Sequence, residues 1–313
     1  MGLGKTLQSI AFLVSELPDI RDSGQPALIV CPASLTFNWW NELRKFAPEV
    51  RAVVMEGDKE SRVSVLDELS EVDVLVTSYP LLRRDAEEIA GQTFSVLILD
   101  EAQAIKNHAT LTAHSVKDIR AKHRFALTGT PVENRLEELW SIFDAVFPEL
   151  FWNRSRFAQL TQEQVARKIR PFLLRRLKGD VLKELPDKIE TVQASELLPE
   201  QKKLYVAYLA RLQADALQRI REDGFQKSRM HILAGMTRLR QLCCHPAMFV
   251  EGYDGASGKL DQLMEIVEEC RDAGKRMLIF SQFTEMLGII RSELSQRDVR
   301  FFYLDGQTPG RER

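Results

Sequence analysis

Three short blocks, ALIVC at Ala27 to Cys31, VLVTS at Val74 to Ser78 and VLILD at Val96 to Asp100, are almost continuously apolar and rich in β-branched residues. A strand with one wet face alternates apolar and polar positions, whereas an unbroken apolar run fits a strand covered on both faces, as in a parallel sheet between helices. Helical patterns fall between the blocks, so the first half of the chain reads as strand-helix-strand units of an α/β fold. The expected strands are Ala27 to Cys31, Ala52 to Met55, Val72 to Thr77, Val96 to Leu99 and Arg124 to Thr128. In open α/β sheets, ligands collect at the carboxyl ends of the strands. Chemistry is therefore sought in the residues that end these blocks.

From about Leu150 the alternation gives way to long helical stretches, Pro199 to Glu222 and Arg229 to Cys244. A loop-like segment, Glu251 to Ser257, then leads to a helix around Lys259 to Ala273, a strand at Arg276 to Phe280, a helix at Glu285 to Ser295 and a strand at Arg300 to Leu304. These divide the chain into an α/β lobe over residues 1–148, a helical region over 149–256 and the start of a second α/β lobe over 257–313. With 313 residues, 44% of them hydrophobic, the chain can build two cores. Its 43 basic and 45 acidic side chains nearly cancel, so any grip on nucleic acid must come from local patches. Four cysteines without framework spacing point to a reducing compartment. No run of 18 apolar residues and no secretion-type start is present, so neither a membrane partner nor export is expected.

Gly2-Leu-Gly4-Lys5-Thr6, followed by the apolar helix Leu7 to Glu16, matches the tail of a phosphate-binding loop, G-x-x-x-x-G-K-[ST]. In that pattern Lys5 reaches the β- and γ-phosphates, Thr6 holds Mg²⁺, and amides at the helix start cradle phosphate oxygens. Alone, the triplet also fits an ordinary helix start. A second element narrows the choice: Val96-Leu-Ile-Leu99-Asp100-Glu101-Ala102-Gln103 is an apolar strand ending in two adjacent carboxylates. Asp100 can bind Mg²⁺ and Glu101 can polarise a water attacking the γ-phosphate. A third strand ends at Leu127-Thr128-Gly129-Thr130-Pro131, where small hydroxyl residues can hydrogen-bond the carboxylates and relay the state of the γ-phosphate.

In this order the chain resembles the Swi/Snf-type remodelling ATPases within superfamily two helicases. Met1 to Thr6 resembles motif I, Leu28 to Leu35 with Asn38-Trp39 motif Ia, Thr77-Ser78-Tyr79 motif Ib, Asp100 to Asn107 motif II and Leu127 to Asn134 motif III. Pro171 to Lys178 with Asp180-Val, and Glu184-Leu-Pro186, is similar to the interlobe signature. Leu239 to Pro246 is similar to the helical segment before lobe two, Met277 to Phe283 to motif IV, and Leu304 to Pro309 to the next block. Gln103 stands where the family usually has His; an amide can still bridge, so tuning rather than loss is expected.

The resemblance implies two RecA-like lobes, the first being a P-loop NTPase lobe, with duplex DNA across a cleft and ATP bound between the lobes. It implies ATP and Mg²⁺ as cofactors, with Lys5, Asp100 and Glu101 as the catalytic set. Gly2, Gly4, Lys5 and Thr6 would bind nucleotide, and Thr6 and Asp100 the Mg²⁺. Gln103, Thr128, Gly129 and Thr130 would couple the site. Ser34, Thr77, Ser78, Tyr79, Ser281 and Gln282 would contact double-stranded DNA, mainly its phosphate backbone; a DNA-bound protein complex is a further implied partner. The same likeness places a loop-launching strand before residue 1 and motifs V and VI beyond Arg313, so that Arg311 and Arg313 are not the arginines of motif VI.

The implied activity is translocation on duplex DNA driven by hydrolysis of ATP to ADP and phosphate, with turnover by this stretch alone expected to be impaired because motifs V and VI are expected outside it. Two rivals remain at this stage: a nucleotide- and DNA-binding module without turnover, and a strand-separating or RNA helicase of the same superfamily. A bacterial cytoplasm, in association with the nucleoid, is the expected location in preference to a nucleus. Trp39 and Trp40 are read as packing residues, Cys243-Cys244-His245 as structural, and the basic helix around Lys202, Lys203, Arg211, Arg219 and Arg221 as a solvated face, whereas Arg175 and Arg176 fall on a family signature.

Overall fold

The computed structural model describes residues 3–129, 136–181, 184 and 188–309. The chain divides into two compact units, residues 1–186 with 308–313 and residues 187–307. In the first, β1 (Ala27–Cys31), β2 (Ala52–Val54), β3 (Val74–Ser78), β4 (Thr93–Asp100) and β5 (Arg120–Leu127) make one parallel sheet in the order β2-β3-β1-β4-β5. The central strands are the continuous apolar blocks, and their two residue sets separate cleanly. Leu28, Val30, Leu75, Leu97 and Leu99 join one core layer, while Ala27, Ile29, Val74, Val76, Val96 and Ile98 join the other. This is the period-two alternation of a strand with both faces buried.

β4 and β5 begin earlier than expected, at Thr93 and Arg120, and pair there directly. The polar segment Arg120-Ala-Lys-His123 can belong to a strand because β5 closes one side of the sheet among the described residues, where polar side chains still reach water.

One face is covered by the helices Lys5–Ser15, Leu17–Ser23 and Thr36–Phe46 through Ile10, Leu13, Ile20, Trp39 and Leu43. The other carries Leu82, Ile89, Val116 and Ile142 from the helices Tyr79–Arg84, Ala86–Ala90, Leu111–Lys117 and Leu136–Val146. A buried ion pair, Arg62 to Asp85 at 2.6 Å, fastens the helix Lys59–Asp67 to the turn after Arg84. A smaller cluster built on Leu139, Trp140, Phe143, Phe151, Phe157 and Val165 continues the first unit past residue 148.

The second unit contains a helical hairpin. Residues Pro199–Cys244 run helically except at Gly224, whose φ of 79° and ψ of 163° reverse the chain. Gln201 donates to the Leu242 carbonyl at 2.8 Å, and Gly235 lies so close to Leu212 that a β-carbon there would collide with it. The helices Gly258–Asp272 and Thr284–Gln296 pack through Leu260, Met264, Val267, Met286, Ile290 and Leu294.

The strands expected at Arg276 to Phe280 and Arg300 to Leu304 do not form among the described residues. Met277 and Ile279 pack onto the helices, but Leu278 and Phe280 are 84% and 87% exposed and Phe302 and Leu304 also face water. A strand requires ladder partners, and apolar composition does not supply them. Among the described residues, no helix is long and apolar enough to cross a membrane.

Candidate nucleotide site

The carboxyl ends of four strands meet. Cys31 pairs with Ser78 across β1 and β3, Val30 pairs with Leu99 across β1 and β4, and Asp100 pairs with Leu127 across β4 and β5. Cys31, Tyr79, Asp100 and Thr128 are thereby brought together from distant parts of the sequence.

Asp100 is 7% exposed and continues the β4 residue set that includes Val96 and Ile98, so it points to the face covered by the helices beginning at Lys5 and Thr36. Its Oδ2 accepts a hydrogen bond from the Trp39 indole Nε1–H at 2.9 Å and its Oδ1 accepts the Glu101 amide N–H at 2.9 Å. The Tyr79 hydroxyl donates to the Asp100 backbone carbonyl at 2.8 Å. Burial pushes the Asp100 carboxyl above the ordinary carboxylate range; the Trp39 and Glu101 N–H groups pull against it, the Glu101 charge adds to it, and the Lys5 ammonium opposes it. Lys5 and Asp100 therefore feel each other on one face of the sheet. Burial, aided by Asp100, also pushes the Cys31 thiol up to about 12, so it stays neutral, and raises the Tyr79 phenol, which remains a donor.

The helix Lys5–Ser15 begins at Gly4, whose φ of 76° is left-handed and favours glycine. The Gly4 carbonyl closes the first turn with the Gln8 amide at 2.9 Å, leaving the earlier amides of that turn to face outward from the helix start. Lys5 and Thr6 are half-buried. Gly2 and Thr130 lie outside the described residues.

Glu101 adopts a left-handed φ of 48°, uncommon for a residue with a β-carbon. From there its Oε2 accepts the Gln103 side-chain N–H at 2.7 Å, and the Gln103 carbonyl oxygen accepts the Thr128 hydroxyl at 2.8 Å. The side-chain amide spans from the end of β4 to the end of β5 with one donor and one acceptor. Gly129 is exposed at the next position.

The residues expected to touch DNA divide into two groups. Ser34 is exposed, in a single 3₁₀ turn before the helix Thr36–Phe46. Thr77, Ser78 and Tyr79, also expected at the DNA, are buried. Ser78 caps the helix Tyr79–Arg84 by accepting from Leu81, and Tyr79 spends its hydroxyl on Asp100, so both brace the sheet end. In the second unit, Ser281 accepts the Phe283 amide at 3.1 Å and exposed Gln282 accepts from Arg240 at 2.7 Å. Arg175 and Arg176 are exposed. The role of Trp39 as a donor to Asp100 was missed in the sequence, where only its packing was legible. The available signal was general: a buried indole N–H needs a partner.

Among the described residues, no three His, Cys, Asp or Glu side chains cluster as a self-sufficient metal cage. One hydroxyl at Thr6 and one buried carboxylate at Asp100 suit Mg²⁺, which commonly takes one or two protein ligands and completes its shell with phosphates and water.

A parallel sheet with a lysine-bearing helix start and an Asp-Glu strand end on one face defines a RecA-like, nucleotide-binding α/β fold. The family model described as the SNF2-related domain matches residues 1–248, and the chain belongs to that family. It is 34% identical over 338 residues to the ISWI chromatin-remodeling complex ATPase CHR17 of Arabidopsis thaliana, and 34% identical over 322 residues to an uncharacterized ATP-dependent helicase of Mycoplasma pneumoniae. All of this chain is covered in both alignments, against 31% and 30% of those proteins, so the chain spans about a third of their length. Among solved structures it is similar to the Sulfolobus solfataricus SWI2/SNF2 ATPase core in complex with dsDNA, at 36% identity and a TM-score of 0.55, covering 95% of this chain and 64% of that one.

Proposed function

We propose that the chain is the motor portion of an ATP-driven translocase on double-stranded DNA. The observation that carries the reading is the convergence of Lys5, Asp100 and the Glu101-Gln103-Thr128 chain at one sheet end. The solved relative bound to duplex DNA supports the choice of polymer. In this reading residues 1–148 form the ATP-binding lobe, 149–256 the helical region and 257–313 the start of the second lobe.

Lys5 attracts the β- and γ-phosphates while outward-facing amides of the first helical turn donate hydrogen bonds to their oxygens. Mg²⁺ brought with the nucleotide would neutralise phosphate charge, with Thr6 and Asp100 the residues to hold it. Glu101 orients the attacking water and takes its proton. Gln103 passes the position of Glu101 to Thr128, so loss of the γ-phosphate is felt at the end of β5. Contact with the duplex falls to exposed groups such as Ser34 and Gln282, and contacts to backbone phosphates give little base specificity and strong salt dependence.

ATP hydrolysis by the full chain, with and without duplex DNA, is the test. Duplex should stimulate turnover, and Glu101→Gln should lower it about 10²–10⁴-fold while leaving ATP binding in place. No turnover in either protein would favour a binding module, and displacement of a paired strand would favour a strand-separating helicase.

A further inference from the structure

We propose that Trp39 is a positioning residue for Asp100: its indole N–H holds the carboxylate in one orientation toward a cation shared with Thr6 and a bound nucleotide. The inference deepens the nucleotide reading above and rests on it.

Trp39 is 1% exposed and belongs to the same apolar cluster as Ile10 and Leu13 of the helix that begins at Lys5. The indole is thus clamped between the sheet and the phosphate-side helix. Its N–H occupies Oδ2 of Asp100 while the Glu101 amide occupies Oδ1, each at 2.9 Å. Donors on both oxygens mean that the carboxylate cannot rotate without breaking a hydrogen bond, yet each oxygen keeps a further acceptor position for a metal ion or its water.

The neighbouring tryptophan supplies the contrast. Trp40 gives its N–H to the Ala52 backbone carbonyl at 3.2 Å, and its ring carries the Arg44 guanidinium 4.6 Å from the centroid. Trp40 braces one stretch of backbone; Trp39 braces an acid. A hydrogen bond to a carboxylate is charge-assisted and stronger than one to a carbonyl. Partners that orient a metal ligand typically govern metal affinity 10- to 100-fold.

The experiment uses the full chain and two readouts that need no turnover. ATP affinity is measured by calorimetry with and without Mg²⁺ for the unmodified protein, Trp39→Phe and Trp40→Phe. Trp39→Phe should bind metal-free ATP as the unmodified protein does and lose about 10-fold or more of the gain conferred by Mg²⁺; Trp40→Phe should keep the gain. In parallel, the ¹⁵N indole resonances of the unmodified protein are followed. The Trp39 N–H should exchange slowly, move on Asp100→Asn substitution, and respond to ATP with Mg²⁺ more than to ATP alone.

A folded Trp39→Phe that retains the whole Mg²⁺ gain overturns the proposal and leaves the nucleotide reading intact. If Trp39→Phe does not fold, the indole resonance decides, and an N–H indifferent to both Asp100→Asn and Mg²⁺ overturns the proposal. Absence of any Mg²⁺ gain in the unmodified protein removes the nucleotide reading and this inference together.

Discussion

The segments Val96-Leu-Ile-Leu99 and Met277-Leu-Ile-Phe280 are nearly interchangeable in composition, and the chain treats them oppositely. The first is the middle of β4, paired with β1 on one side and β5 on the other, with every side chain buried. The second makes no ladder, and its alternate residues Leu278 and Phe280 point into water. An apolar, β-branched run states a preference for extended backbone. Neighbouring strands and a helix on each face turn that preference into a buried strand. The first unit has both at β4; the described residues of the second put helices against one side of 277–280 only.

Three tests sharpen or break this contrast. The largest effect is expected at Arg62→Ala, which strands Asp85 as a buried charge and should cost about 3–5 kcal/mol in urea unfolding. The exposed pair of Arg297 with Glu268 in the second unit should give less than about 1 kcal/mol when Glu268 becomes Ala. Equal losses would erase the distinction between a tightly held first unit and a looser second.

Leu97→Ala should cost about 2–5 kcal/mol, because the site is closed on both sides and cannot collapse readily. Leu278→Ala should remain within about 0.5 kcal/mol. Amide hydrogen exchange provides the same contrast without mutation: the amides of 96–99 should be protected, and those of 277–280 should exchange quickly.

The smallest effect concerns pH. Asp73 is buried, which alone would raise its carboxyl, but hydrogen bonds from Arg21 and Arg51 outweigh burial and hold it well below the usual range. A carboxyl depressed in the folded state contributes stability that is present above its unfolded pKa of about 4 and is lost as pH falls toward the folded value. Acid unfolding of Asp73→Asn should therefore show a shallower decline below pH of about 4 than the unmodified chain. An identical slope would show that the two partly exposed arginines contribute nothing across this range.

Much of the fold was readable because periodicity is a local property. The blocks at 27–31, 74–78 and 96–100 announced strands buried on both faces, and the two long helical stretches appear with their break at Gly224. The start of β5 was not readable, because Arg120-Ala-Lys-His123 becomes a strand only by pairing with Thr93 to Val96. In the candidate site, Lys5, Asp100 and Glu101 stood out by residue type and order. The partners of Asp100 did not, since Trp39 and Tyr79 reach it only after β1, β3 and β4 lie side by side.

The sequence by itself determined which residues could bear charge at strand ends and which blocks had to be covered on both sides, because side-chain chemistry and a two-residue period travel with the chain. Tertiary structure decided what those residues touch. It buried Thr77, Ser78 and Tyr79, which motif position alone had assigned to DNA, and it made Trp39 the donor to Asp100. The physical reason is that burial and hydrogen-bond partnership belong to pairs of residues far apart in sequence, and strand register and helix packing set those pairs.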